Sequence, residues 1–252
     1  MCCFSGPVRS VSQTSIFARA DADGRQFLAY AMHLDSVQDV AMVLPLPVAP
    51  GTGEGGLTFI DLKAYPEFFS HLYAIVEFPM VTAVPPLGPS PGGRKAATLP
   101  VQVVGDFEAS FVPTIADFAR LDERFRLPAG TWDKLPAYAA YGFAVFKLKA
   151  GAQAVHPMAF SFPRADAGSL FFPTVHIHDG QVHEQADFDH LLYCQIGQER
   201  ELVVSDWNES PGWVGKRVDA QRSHGMVAAD QHLYGLRLAG KLANRDTRLS
   251  PR

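Results

Sequence analysis

The sequence predicts an α+β protein that is rich in β-structure, with mostly antiparallel sheets in a sandwich-like arrangement and a few short helices. Short apolar runs, several with period-two alternation, recur along the chain between Gly, Pro and Asp turn residues. Segments with a helical period are few and brief. No repeat of about 20–50 residues is present, which argues against a solenoid or a propeller.

Composition restricts the function classes. The 252 residues are 47% hydrophobic and 19% charged, which is typical of a globular protein with a sizeable core, and we expect a single domain over 1–252. A formal net charge of −4 gives no basic surface for nucleic acid. No run approaches the roughly 18–20 apolar residues of a membrane helix, and the opening lacks a secretory leader. We therefore expect a cytoplasmic protein with no nucleic-acid or membrane partner.

The first third of the chain predicts strands joined by tight turns. Asp23-Gly24 is a typical hairpin turn between two such segments. The run 40–44 is apolar throughout, which is typical of a strand buried on both faces, and Pro45 should end it because proline cannot donate to a β-ladder. The predicted strands of this part are 15–19, 26–34, 40–44 and 57–60.

The rest of the chain predicts further strands and two short helices. Pro66 stands near the start of a predicted helix over 66–76, and Thr114 is placed to cap a second over 114–121. The Pro/Gly-rich stretch 85–98 predicts an exposed loop, and residues 245–252 a solvated tail. The remaining predicted strands are 101–104, 107–111, 141–148, 158–162, 170–178, 190–196, 202–204 and 233–242.

Four histidines and a cysteine form the densest group of candidate metal ligands. They are His176, His178, His183, His190 and Cys194, with the spacing H-x-H-x4-H-x6-H-x3-C. Neutral imidazole and thiolate are good ligands for zinc, copper or iron. The spacing matches no zinc-finger or HExxH pattern, so the identity of the metal stays open.

The period of a β-strand predicts how these side chains are brought together. Residues i and i+2 share a face, so His176 and His178 should point the same way. A hairpin around the intervening loop would place His178 opposite His190, with Cβ atoms about 4.5–5.5 Å apart. We expect His176, His178 and His190 to hold the ion, with His183 or Cys194 as a further ligand. Nearby carboxylates are candidate ligands or hydrogen-bond partners of the imidazoles: Asp179, Glu184, Asp187 and Asp189.

Cys2 and Cys3 at the chain start are candidate catalytic residues. Initiator methionine is usually removed before a small residue, which would expose an α-amino group with a pKa of about 7.7–8.0 beside a thiol with a pKa of about 8.5. Such a pair activates a nucleophile or chelates a metal. Alternatively, both cysteines pack as small apolar side chains. Three cysteines, two of them adjacent, argue against a disulfide framework.

Two resemblances accompany these patterns. The Cys-rich opening with Phe4 and the segments 11–18, 39–47, 141–148 and 171–173 follow one order over about two-thirds of the chain. Together they resemble an uncharacterised bacterial family of cysteine-led, β-rich proteins known only as a domain of unknown function. This resemblance implies the β-rich fold and no activity. Many members of that family look exported, whereas this chain lacks a leader.

The second resemblance is confined to about 20 residues at the chain start. Cys2, the strand that ends at Arg19, and Asp21 resemble the opening of N-terminal-nucleophile amidohydrolases of the choloylglycine hydrolase type. The resemblance implies that Cys2 is the nucleophile and that Arg19 and Asp21 support it. The later asparagine and arginine motifs of that family are not found in this sequence.

Three functions therefore stay open after the sequence alone. The leading hypothesis is a metal-binding protein built on the histidine cluster; with an open coordination position it would be a metalloenzyme acting on a small molecule or a peptide. The second is a cysteine amidohydrolase using Cys2. The third is a non-catalytic binding or structural module, because no Walker A, GxGxxG or GxSxG motif is present.

Overall fold

The structure is a computed structural model that describes residues 2–76, 99, 101–178, 181–197 and 204–251, with Cys2 and Gln153 described by their backbone only. The described residues form fifteen strands, one α-helix and five short 3-10 helices. The strands are β1 (Cys2–Phe4), β2 (Val8–Ala20), β3 (Arg25–Ser36), β4 (Val40–Leu46), β5 (Thr58–Asp61), β6 (Gln102–Val104), β7 (Phe107–Val112), β8 (Gly142–Leu148), β9 (Gly151–Pro163), β10 (Leu170–Phe172), β11 (His176–Ile177), β12 (Gln185–Gln195), β13 (Asn208–Glu209), β14 (Tyr234–Ala243) and β15 (Thr247–Leu249). The helix is α1 (Phe68–Tyr73), and the 3-10 helices are Ile115–Arg120, Glu123–Phe125, Trp132–Lys134, Pro136–Tyr138 and Val214–Lys216.

The β-rich class is confirmed, and most strand pairs are antiparallel. Sheet A has six strands in the order β11-β1-β4-β8-β7-β6. Sheet B has seven strands in the order β13-β14-β12-β2-β3-β9-β5, and β10 pairs with β15 in a separate ribbon. Two pairs of the described strands are parallel, β1 with β11 and β12 with β2. Strand alternation alone did not predict these parallel pairs.

The first predicted hairpin forms as expected, whereas the predicted end of β4 is wrong. Asp21 N–H donates to the Arg25 carbonyl at 2.8 Å and so closes the turn between β2 and β3. Strand β4 is buried at every position, but it continues through Pro45 to Leu46. Pro45 is tolerated because β8 pairs with all of β4, while β1 reaches only as far as Val43. One side of β4 therefore needs no backbone donor at Pro45.

Two other predicted elements differ from the structure, and two lie wholly or partly outside the described residues. The predicted strand 170–178 divides into β10 and β11, because Pro173 follows β10 and cannot continue the ladder. The predicted helix 114–121 is a 3-10 helix, and the Thr114 hydroxyl bonds the Asp117 carboxylate at 2.8 Å instead of capping a backbone N–H. The predicted loop 85–98 lies outside the described residues, as do residues 202 and 203 of the predicted strand 202–204.

The core consists of two hydrophobic clusters on the two faces of sheet B. The first contains buried side chains from both sheets, including Phe4, Val43 and Phe146 of sheet A and Leu28 and Phe160 of sheet B. The second cluster joins the other face of sheet B to α1 and to the segment 214–227. Alternation along a strand divides its side chains between the clusters, so that in β12 Leu192 and Cys194 belong to the first and Tyr193 to the second.

At two places in this core, a glutamine side chain takes the place of a neighbouring strand. Gln26 Nε2 donates to the Phe171 carbonyl at 2.7 Å, and Phe171 N–H donates to Gln26 Oε1 at 3.0 Å. Gln195 forms the same two bonds with Ala228, both at 2.8 Å. Each amide thus satisfies the donor and the acceptor of one backbone residue, as a neighbouring strand would.

Candidate functional site: a buried histidine pair

The predicted hairpin of the histidine strands does not form. Strand β11 lies at the edge of sheet A, beside β1, whereas β12 lies within sheet B between β14 and β2. The two histidine-bearing strands therefore belong to different sheets. Consequently His190 meets His176 and not His178, and the predicted pairing of His178 with His190 is wrong.

His176 and His190 form a close imidazole pair in the interior. Their Nε2 atoms are 3.0 Å apart, and their ring centroids are separated by 4.7 Å. His176 is 8% exposed and His190 1% exposed. Two neutral imidazoles can share one proton across this distance, with one Nε2 as donor and the other as acceptor. Two lone pairs can also converge there on a single cation.

The electrostatic surroundings keep both rings neutral. Burial lowers the pKa of His176 to about 3 and the pKa of His190 to about 2, because a charged imidazolium loses its hydration in this environment. Phe188 adds an apolar wall, with its ring centroid 4.5 Å from that of His176 and 5.2 Å from that of His190. Near neutral pH the pair thus carries no proton in excess, which is the protonation state that metal coordination requires.

The second nitrogen of His190 faces a carboxylate. Asp189 Oδ1 lies 3.7 Å from His190 Nδ1, which makes no hydrogen bond among the described residues. Asp189 Oδ2 accepts a hydrogen bond from Gln13 N–H at 2.6 Å. Gln13 has a positive φ of 54° and lies at a register shift of β2. The carboxylate favours the His190 tautomer that is protonated at Nδ1, which leaves Nε2 as a lone-pair donor.

The remaining predicted ligands lie at different distances from this pair. The His178 ring stacks on that of His176 at 5.0 Å, as their shared face predicted, and its edge meets Phe4 at 5.8 Å. His183 is exposed. Cys194 is wholly buried in the first cluster and lies four residues along β12 from His190, which corresponds to about 13 Å. Burial raises the pKa of the Cys194 thiol well above its ordinary value.

No complete metal site is present among the residues that the structure describes. Within them, no group of three His, Cys, Asp or Glu side chains is arranged to hold one ion. The predicted carboxylates Glu184, Asp187 and Asp189 are exposed, and Asp179 lies outside the described residues. Among the described residues, His176 and His190 bring their Nε2 atoms to within 3.0 Å of each other.

The leading strand runs directly beside this pair. Cys2 is the register partner of His176 in the parallel pairing of β1 with β11, and Cys3 is the partner of Ile177. Neighbouring strands lie about 4.8 Å apart, so the backbone of Cys2 adjoins that of His176. Cys3 is fully buried in the first cluster, which agrees with its packing as a small apolar side chain. The two groups of candidate residues in the sequence therefore meet at one place.

Arg19 and Asp21 occupy positions set by other contacts. The Arg19 guanidinium donates to the carbonyls of Met226 and Gly225, both at 2.6 Å. Asp21 forms part of the turn between β2 and β3. These described contacts tie Arg19 to the segment that contains Met226 and Asp21 to a turn of sheet B, whereas Cys2 belongs to sheet A.

The segment that follows β14 supplies site residues that the sequence did not reveal. Asn244 Oδ1 accepts from His176 N–H at 2.7 Å, and its Nδ2 donates to the carbonyls of His176 and His183, both at 2.9 Å. Asp246 accepts from Thr174 N–H at 2.9 Å and from the Tyr138 hydroxyl at 2.6 Å. The predicted solvated tail is therefore wrong for its first residues, because these contacts and β15 hold them against the fold.

Comparisons with known proteins assign no family to the chain. No protein-family model and no curated protein matches it. Among solved structures it is similar to baculovirus P35, with a TM-score of 0.49 and 14% identity over 97% of each chain. It is also similar to a chain of the caspase-8/P35 complex, with a TM-score of 0.47 and 10% identity over 95% of this chain and 96% of that one. No helix in the described residues has the length and apolar character needed to cross a membrane.

Proposed function

We propose that the protein binds a transition-metal ion, with zinc as the first candidate, through His176 Nε2, His190 Nε2 and the leading residue Cys2. The observation that carries the proposal is the 3.0 Å separation of the two Nε2 atoms. Two nitrogen ligands of tetrahedral zinc, each about 2.0–2.1 Å from the ion, stand about 3.3–3.4 Å apart. A shift of a few tenths of an ångström therefore converts the observed pair into a bidentate ligand.

The neutrality of the imidazoles supports this function over general-base catalysis. An imidazole with a pKa of about 3 or about 2 takes up a proton poorly near neutral pH, which weakens it as a base for a thiol. The same property favours coordination, because protons do not compete with the metal for Nε2. The backbone register of Cys2 with His176 supports Cys2 as the third ligand, and a fourth position would then be open for a small molecule or a peptide.

Cobalt(II) and zinc(II) titrations of metal-free protein test the proposal. We expect about one ion per chain, with a thiolate-to-cobalt charge-transfer band that is lost in Cys2→Ser and kept in Cys3→Ser, since Cys3 lies in the core. His190→Leu should abolish binding, whereas His232→Gln should not, because His232 bonds Ser210 far along the sheet. Less than about 0.2 ion per chain in the wild type would overturn the proposal, as a metal centre is expected to fill at stoichiometric metal.

A second candidate function is thiol nucleophilic chemistry at Cys2, favoured by the same register of Cys2 with His176. A cysteine held as a thiolate reacts with electrophiles faster than a free cysteine does, and a hydrogen bond donated by the neighbouring His176 ring would stabilise that thiolate. Intact mass after brief treatment with a chloroacetamide reports whether Met1 is removed and how many cysteines are alkylated, and peptide mapping of the same sample identifies which cysteine is alkylated. Rapid labelling of Cys2 that is slowed by His176→Leu and unchanged by added zinc would support this candidate over the metal site.

A further inference from the structure

A two-residue strand carries His176, and this strand lies at the edge of its sheet. Among the described strands, β11 pairs with β1 at the edge of sheet A. So short an edge strand forms few backbone hydrogen bonds with its neighbour, and the N–H and carbonyl groups on its other edge point away from β1. The position of the His176 ring therefore depends on which groups bond the outer edge of β11.

Asn244 holds it with a single side chain. Its amide accepts the His176 N–H at 2.7 Å and donates to the His176 carbonyl at 2.9 Å, so that both backbone groups of this residue are satisfied. The arrangement is the one that Gln26 and Gln195 form with their backbone partners elsewhere in the core. The amide of Asn244 thus takes the place of a missing strand.

Asn244 is also tied to the strand that carries His190. Its backbone N–H donates to the Glu184 carbonyl at 2.9 Å, directly before β12 begins. Its side chain donates in addition to the His183 carbonyl at 2.9 Å. The pairing of β14 with β12 ends at Ala243, so Asn244 is the first residue beyond that ladder. One residue therefore joins the two sheets where they contribute the two imidazoles.

We infer that Asn244 is a positioning residue that sets the separation of the His176 and His190 rings and so preorganises the site for its ion. The inference rests on the proposed metal-binding function for its consequence, but the separation of the rings is a property of the metal-free protein. Removing the amide frees the edge of β11, and His176 then loses its fixed distance from His190. Outer groups that orient metal-binding histidines typically change metal affinity by about 10–100-fold.

The test measures the imidazole pair directly in metal-free protein labelled with 15N. In the wild type we expect one protonated and one unprotonated Nε2, with a scalar coupling across the shared hydrogen bond. Asn244→Ala should abolish this coupling and weaken cobalt(II) binding about 10–100-fold. Gln195→Ala is the matched control, because it removes the equivalent amide at Ala228 and should lower stability without altering the coupling.

The outcomes separate this inference from the proposed function. An unchanged coupling in Asn244→Ala, or its equal loss in Gln195→Ala, would overturn the positioning role. A wild-type protein that shows the coupling but takes up no cobalt(II) would overturn the metal function and leave the positioning role standing. If Asn244→Ala does not fold, Asn244→Asp provides the same readout, because it keeps the acceptor for His176 N–H and loses the donor to the two carbonyls.

Discussion

The histidine pair makes a prediction about stability that needs no metal. His176→Leu and His190→Leu each replace one imidazole with an apolar side chain of similar size and leave the other Nε2 without its partner. A buried polar atom that loses its hydrogen bond costs about 1–3 kcal/mol. The double replacement leaves no orphaned Nε2, and we expect its free energy of unfolding to lie within about 1 kcal/mol of that of the wild type.

The structure also predicts an asymmetry between the single variants. In His176→Leu the remaining ring is His190, which is 1% exposed and already has an Nδ1 atom without a hydrogen bond among the described residues. In His190→Leu the remaining ring is His176, which is 8% exposed at the sheet edge and reaches water more easily. We therefore expect about 3 kcal/mol of destabilisation for His176→Leu and about 1 kcal/mol for His190→Leu.

The wild type, the two single variants and the double variant form a double-mutant cycle. Their free energies of unfolding are measured in urea between about pH 6 and 8, with a chelator present. The pKa values of about 3 and about 2 keep both rings neutral over that range, so the cycle reports hydrogen bonding and not titration. We expect a coupling free energy of about 3–5 kcal/mol, because the single changes sum to about 4 kcal/mol and the double variant stays within about 1 kcal/mol of the wild type. Additivity within about 0.5 kcal/mol would refute the reasoning, because the two imidazoles would then be energetically independent.

Two further predictions concern the polar groups that hold the fold around the site. Gln26→Leu should lower the free energy of unfolding by about 2–4 kcal/mol, since two backbone groups of Phe171 lose buried partners. Gln38→Leu, at an exposed position, is the control, and an equal effect of the two changes in urea unfolding would contradict the prediction. Burial raises the pKa of Asp246, so the folded state favours the protonated carboxyl and this group's contribution to stability falls as the pH rises above its ordinary value of 3.8. Asp246→Asn should therefore gain stability relative to the wild type between about pH 4 and 7, and a difference in urea midpoints that does not change with pH would contradict the prediction.

Local patterns in the sequence predicted the strands well because period-two alternation and turn residues act over a few neighbours. The turn between β2 and β3, the fully buried β4 and the shared face of His176 and His178 are of this kind. The prediction that Pro45 ends β4 was wrong because the effect of a proline depends on which strands pair with its own, and β1 reaches only part of β4. Sheet partners are a long-range property that alternation does not encode.

The candidate site also combines features that local sequence predicts with contacts that only the long-range fold determines. Its residue types were predicted, since histidines so close in sequence are unusual, but their grouping was not. The Nε2 contact joins residues 14 positions apart on different sheets, and Asn244 reaches His176 across 68 positions. Nothing near Asn244 in the sequence distinguishes it from an ordinary residue at the end of a strand. A side-chain amide at such a position reveals its role only when its backbone partner is known.

Two departures from local structural rules lie beside the imidazole pair. His190 Nδ1 is buried without a hydrogen bond among the described residues, and Gln13 adopts a positive φ of 54° where it donates to Asp189. Each departure lowers stability, and apolar side chains would fill the same space without it. The side-chain amides of Gln26 and Gln195 also bond both backbone groups of one residue, and there the polar atoms of the amides are satisfied. The same departures occur elsewhere among the described residues, at Gln231 Oε1, which has no hydrogen-bond partner, and at His224, which has a φ of 51°. An unsatisfied atom and a strained residue beside the histidines are nevertheless what the metal-binding function proposed above leads us to expect.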